Sequence, residues 1–247
     1  MKYFIIALLI GLFQIHLFSQ EITRITNKDK NTNSLEIYHV LKSDKNIKHG
    51  LYQKVVDKSI LVVEGYYKNG FKDSLWTNYK FNSKSLKSRG TYLKDEQIGD
   101  WEFYNFKGEL EQKYDFSKNE IVYFKEEKEN HEKTYKIINE RDTVENTLDN
   151  PPLFIGGSIK MNNEFIRHIR YPELAMENGT QGTVNVVFTV DQNGIARDHR
   201  VLKEIGSGCD EEAIRVIKLI PNNWYPAQLN GKRVNVEHSF PINFILH

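Results

Sequence analysis

Gly182-Thr183-Val184-Asn185-Val186-Val187-Phe188-Thr189-Val190 runs straight into Asp191-Gln192-Asn193-Gly194. Val184, Val186, Phe188 and Val190 recur at every second position, the period of a strand that buries one face. The four residues that follow combine an Asx start with Asn-Gly, a hairpin turn, so Ala196 to Lys203 is expected to return antiparallel. After Gly208 the period changes. Ala213, Val216, Ile217 and Ile220 form a helical stripe, Ser207 and Asp210 fit a capping box, and Pro221 ends the helix.

Beyond it, Arg233 to Leu246 alternates again, with Val234, Val236, His238, Phe240, Ile242, Phe244 and Leu246 on one side. Strands joined through a helix run parallel in one sheet, so this third strand should lie on the far side of the first from the second. The expected order is 2-1-3, which leaves the third strand on an edge. On the N-terminal side, Ile159, Phe165, Ile166 and Ile169 make another helical stripe that Tyr171-Pro172 stops. Pro172 to Met176 then suits a short helix closed by Asn178-Gly179. Residues 151–247 therefore read as an α+β domain, a three-stranded antiparallel sheet with two helices on one face.

A long edge strand is either used for pairing or covered. Three covers or users are open: a partner peptide, a short strand from the preceding linker at Thr134 to Ile138, or a second copy in a homodimer. Pro241 lacks a donor and sits where an edge tolerates it.

The motifs of this region occur in a telling order: Phe154-Ile155-Gly156-Gly157, Tyr171-Pro172-Glu173-Leu174-Ala175, the strand and turn quoted first, Glu212-Ala213, Trp224-Tyr225-Pro226-Ala227, Asn230-Gly231-Lys232 and Phe240-Pro241-Ile242-Asn243-Phe244. Together they resemble the C-terminal domain of TonB-type energy transducers. The resemblance implies a binder of the N-terminal peptide of outer-membrane receptors by strand addition, not an enzyme. It places the peptide edge on Val234, Asn235, Val236, Glu237, His238, Ser239, Asn243 and Ile245, with Asn235, Glu237, Ser239 and Asn243 directed at the partner. It places a further receptor contact at Arg170, Tyr171 and Pro172. It also implies coupling to a proton-driven inner-membrane motor, provided the N-terminus stays in that membrane. The chain departs from the pattern in its spacer, because all six prolines lie at or after Pro151. The alternative is a periplasmic structural adaptor that joins envelope proteins without energy coupling.

The middle of the chain repeats. Gly65-Tyr66-Tyr67-Lys68-Asn69-Gly70 leads to Trp76 and Tyr79, and Gly90-Thr91-Tyr92-Leu93-Lys94 leads to Trp101 and Tyr104, equivalents 25 residues apart. A weaker copy sets Tyr52 at the tryptophan position. A fixed period marks units that bury their apolar faces only against neighbours. The G-x-Y…W-x-x-Y pattern resembles MORN-type repeats over residues 46–124, read as three antiparallel hairpins after a lead-in at 20–45. Tyr67, Trp76, Tyr92 and Trp101 are either the repeat core or a contact surface. Residues 125–150 are charged and read as a solvated linker.

Met1-Lys2 and the apolar run Phe4 to Phe18 read as a secretory signal, residues 1–19, cleaved before Gln20. The run is short of the ~20 apolar residues of a membrane span, so export to the periplasm is expected, with an inner-membrane anchor as the alternative. Without that segment 33 basic residues face 33 acidic ones, and a neutral chain has no electrostatic footprint for nucleic acid. The single Cys209 has no disulfide partner within the chain. Adjacent Asp198 and His199 point to opposite faces of a strand. Gly156-Gly157-Ser158-Ile159-Lys160 lacks phosphate-loop spacing, and no two of the eight histidines are three to five residues apart. No cofactor, metal or catalytic residue is expected.

Overall fold

A computed structural model of the chain describes residues 21–29, 31–57, 59–81, 85–125, 133–140 and 142–246. The signal segment 1–19 and the charged run 126–132 lie outside the described residues.

The N-terminal half is one meander. Strands β1 (Ile22–Asp29), β2 (Ser34–Leu41), β3 (Lys48–Val56), β4 (Ile60–Lys68), β5 (Phe71–Tyr79), β6 (Leu86–Leu93), β7 (Glu96–Tyr104), β8 (Leu110–Asp115) and β9 (Glu120–Phe124) pair in chain order, each antiparallel to the next. The sheet thus has nine strands where six were expected, and the lead-in supplies the first two. At about 4.8 Å per strand it is roughly 40 Å wide.

The repeat has a steric cause. The indole of Trp76 lies flat over Gly65 and that of Trp101 over Gly90, so close that a Cβ on either glycine would come within 2.2 Å of the ring. Each indole N–H donates to a main-chain carbonyl one residue past that glycine, Tyr66 and Thr91, at 3.1 Å in both cases. Tyr67 stands edge-on to Trp76, and Tyr92 stands edge-on between Trp76 and Trp101. The Lys48 and Lys72 ammonium groups lie over the same rings, and stems of this length shield apolar surface. A single-layer sheet thereby builds a core without a second sheet: Trp76 and Trp101 are almost fully buried.

The chain then continues as β10 (Tyr135–Ile138), β11 (Thr143–Asn146), β12 (Leu153–Phe154), α1 (Gly157–His168), α2 (Glu173–Asn178), β13 (Gly182–Val190), β14 (Ala196–Lys203), α3 (Cys209–Leu219), β15 (Trp224–Tyr225), β16 (Gln228–Leu229), β17 (Lys232–Arg233) and β18 (Val236–Phe244). The second sheet has the order β11-β10-β18-β13-β14. It contains five strands where three were expected, because Tyr135 and Ile137 of the supposed linker bury themselves with Ala227 and Val236. The last strand is shorter than expected. Asn230 and Gly231, both at positive φ, close a tight hairpin between β16 and β17, so Arg233 and Val234 lie before the strand proper.

The main core joins Val184, Val186, Phe188 and Val190 of β13 to Ala213 and Ile217 of α3 and to Ile242 and Phe244 of β18. Two local expectations fail. Ile166 is 61% exposed, since Met161 and Phe165 occupy the inward face of α1. Asp210 does not complete a capping box; it accepts the N–H groups of Ile205 and Gly206 and ties down the preceding loop.

The two halves are bolted together. Gln112 of β8 is buried, donates to the Phe154 carbonyl at 3.2 Å and accepts the Gly156 N–H at 2.8 Å. Glu111 accepts from Ser158 through both its N–H and its hydroxyl. Gly156 offers α1 no side-chain cap, so the hairpin sheet caps the helix from outside. Substituting Gly90→Ala drives a methyl group into the Trp101 indole, and a loss of about 1–3 kcal/mol in urea-induced unfolding of the chain is expected.

Candidate functional site

The third-strand edge is half covered. Ile137 of β10 pairs with Val236, and the Ile138 N–H donates to the Asn235 carbonyl at 2.9 Å. Main-chain direction alternates along a strand, so Asn235, Glu237, Ser239, Pro241 and Asn243 turn their polar groups away from β13. The side-by-side register of Pro241 with Asn185 agrees, because the missing N–H of Pro241 then faces outward. No strand among the described residues pairs with β18 beyond Val236. Among the described residues no strand takes up the outward N–H and C=O of Ser239 and Asn243 or the C=O of Pro241.

The residues expected to form the edge are sorted accordingly. Val234 donates to the Ala227 carbonyl and belongs to the preceding turn. The Asn235 side chain accepts the Gln192 N–H, and Val236 is wholly buried. Glu237 is held by Arg200 and by Lys136 at 3.6 Å. Its burial would raise its pKa, yet these two cations outweigh the burial and hold the carboxyl below its usual range. The side chain of Asn243 accepts from the Thr183 hydroxyl across the sheet, and Ile245 is exposed just past the strand. Of the expected contact residues, Ser239 and Asn243 thus carry the open main-chain edge. Asn235 and Glu237 lie alongside β10, the linker strand expected at Thr134 to Ile138 as one cover of this edge.

The Tyr-Pro turn lies at the far end of the same strand. Tyr171 packs edge-on against Phe244 at 5.6 Å and donates its hydroxyl to the Thr180 carbonyl at 2.6 Å. The Arg170 N–H donates to Glu212 at 2.6 Å, while Arg215 binds Glu212 and the His168 carbonyl. Pro172 lies under Gly208, where a Cβ would meet it at 3.3 Å. The Glu212-Ala213 motif thereby acquires a reason: Glu212 anchors the turn, and Ala213 is wholly buried on the inner face of α3.

His238 lies on the inner face of β18 against Trp224 and Phe188, at ring distances of 5.1 and 5.4 Å. Burial, and secondarily the Lys133 charge, push its pKa down to about 4. His199 stacks on the other side of Phe188, turned away from any pairing with Asp198, and burial lowers its pKa too. The Cys209 thiol is wholly buried and pushed up by that burial, the opposite of an activated nucleophile. Among the described residues no group of three His, Cys, Asp or Glu side chains is placed to hold a metal ion.

The geometry is that of a small sheet with one half-open edge, flanked by helices and a Tyr-Pro turn. Residues 167–246 match the family model described as Gram-negative bacterial TonB protein C-terminal. The TonB-like match covers α2, β13, β14, α3 and β18, and it takes in the end of α1 with the Tyr-Pro turn. No curated protein and no solved structure gives a significant match to the chain. The hairpin sheet, β10 and the Glu111 and Gln112 contacts lie outside the TonB-like stretch. No helix among the described residues is long and apolar enough to cross a membrane.

The neutral His238 sets a pH dependence. Its folded pKa lies below the unfolded value of about 6.5, so the unfolded chain binds the extra proton first as pH falls. Stability is complete above about pH 6.5 and declines towards pH 4, by up to about 3 kcal/mol from this group. Denaturation curves at pH 7.5 and 4.5 are expected to converge in His238→Phe relative to the unmodified chain.

Proposed function

We propose that the chain is a cell-envelope protein whose TonB-like domain binds the N-terminal peptide of an outer-membrane receptor by adding it as a strand to β18. The observation that carries this reading is the open run of main-chain groups at Ser239, Pro241 and Asn243, next to the Tyr-Pro turn, inside the stretch that matches the TonB family. Strand addition takes its affinity from main-chain hydrogen bonds, and these residues supply them without disturbing the pairs to β13. The site acts by binding, with no catalytic step. Export by the N-terminal segment brings the domain to the periplasm. If that segment is retained in the inner membrane, a proton-driven motor can pull on the complex.

A second reading rests on the docked hairpin sheet. Gln112 and Glu111 hold it rigidly against α1, which suits an adaptor that fixes the distance between two envelope proteins without energy coupling. The mature N-terminus separates the two: a chain that starts at Gln20 in cells sinks direct coupling to a motor.

The edge itself is tested by titrating the chain with receptor N-terminal peptides from the same bacterium. Ser239→Pro removes one outward N–H and is expected to weaken binding about tenfold or more, whereas Ser239→Ala keeps the main chain and binds normally. Equal effects of the two substitutions would mean that the peptide is not paired there.

A further inference from the structure

The strand that covers part of β18 is held far less firmly than its neighbour on the other side. β13 matches β18 at nine consecutive residues, Gly182 to Val190. β10 meets it at the single pair Ile137 and Val236, and through the Ile138 N–H bonded to the Asn235 carbonyl. A further link, Lys136 to Glu237 at 3.6 Å, ends on a lysine half in water and adds little. On its outer side β10 pairs with β11 alone, and all four residues of β11 are exposed.

Two side chains hold this hairpin down. Tyr135 and Ile137 are buried with Ala227 and Val236, in a cluster separate from the main core of the domain and from the aromatic core of the hairpin sheet. The clamp from Glu111 and Gln112 reaches Phe154, Gly156 and Ser158 and does not involve β10. Just past the hairpin the chain is tied down again, since the Asp149 N–H donates to the Gln228 carbonyl and the Asn150 side chain donates to that of Gln228. The hairpin can therefore lift as a unit while both cores and the clamp stay intact. Local openings of this kind cost much less than unfolding the whole chain.

The place of the hairpin gives its opening a function. An added strand takes the outward main-chain groups of β18, whichever way it runs. β10 already holds the one at Asn235 and lies along Glu237. The chain enters β10 along the same edge, where the Lys133 charge reaches His238. Two occupants cannot use these groups at once. We propose that β10 is a built-in competitor for the strand-addition edge, and that a receptor peptide displaces the β10–β11 hairpin in order to pair along β18. This rests on the strand-addition reading and adds a linkage to it: the full edge is offered only by the fraction of molecules with the hairpin released, and the apparent affinity is reduced by that fraction. The competitor lies outside the TonB-like stretch, in the segment that joins it to the hairpin sheet.

The test titrates the full chain and its Ile137→Ser variant with the same receptor N-terminal peptides. The serine loosens the hold of the hairpin on Val236 and leaves both cores unchanged, so the variant is expected to bind about tenfold more tightly. A second measurement needs no variant: in the unmodified chain, hydrogen exchange of the Ile138 amide should speed up at saturating peptide, while the amides of β13 stay protected. Equal or weaker binding by Ile137→Ser, or Ile138 exchange that the peptide slows or leaves unchanged, overturns the competitor proposal. Weakening by Ser239→Pro in the same titration then leaves strand addition standing. Absence of binding by every peptide to both chains removes both readings.

Discussion

The contact on which the molecule depends is the pair of adjacent side chains at the end of the hairpin sheet, Glu111 and Gln112. A buried amide needs partners for both its ends, and Gln112 donates to the Phe154 carbonyl and accepts the Gly156 N–H. A helix start leaves N–H groups without partners, and Glu111 supplies the acceptor that Gly156 cannot. Each half of the protein thus completes a polar requirement of the other. Separation would expose the aromatic ladder at Tyr114, which meets Tyr225 at 6.2 Å, and would leave buried polar groups unpaired. The second glycine of the Phe-Ile-Gly-Gly motif is explained by the same contact, since a Cβ on Gly157 would meet the Glu111 carboxylate at 2.9 Å, whereas Gly156 is set by its positive φ and the Lys160 stem.

Features governed by local chemistry were legible in the sequence. The alternation of Val184, Val186, Phe188 and Val190 located β13 because a one-residue slip would turn every one of them to solvent. Asp191 accepts the N–H groups of Asn193 and Ile195, the turn that its residue type announces. The glycine and tryptophan of the repeat are visible because each requires the other. What escaped were partnerships between distant segments. Nothing around Glu111 marks it as the cap of a helix 47 positions away. The short strand expected at Thr134 to Ile138 is one of three open covers for the edge, and only the burial of Tyr135 and Ile137 with Val236 and Ala227 decides for it. Ile166 fitted the helical stripe, yet it faces outward because Met161 and Phe165 already fill the inner face.

The same division applies to the candidate site. The Tyr-Pro motif and the proline-containing strand could be picked out by type, but their roles differ from what the pattern alone conveys. Tyr171 and Glu212 are braces that hold the end of β18, whereas the open edge is defined by which residues turn their main chain outward. Pro241 reveals that parity, since only an outward-facing position spares β13 a missing bond. β10 limits the edge at the other end, so the free segment is a few residues long and its register is fixed on both sides.

The repeat has one consequence for the molecule as a gauge of distance. Its units repeat one another, because each tryptophan lies on the glycine of its own hairpin and meets the tyrosines beside it, and the clamp to α1 involves the last strands alone. Adding or deleting one 25-residue unit ahead of Trp76 would change the width of the sheet by two strand spacings, about 10 Å, and leave the binding edge where it is. The chain is thus a ruler marked in hairpins, its zero fixed at Gln112.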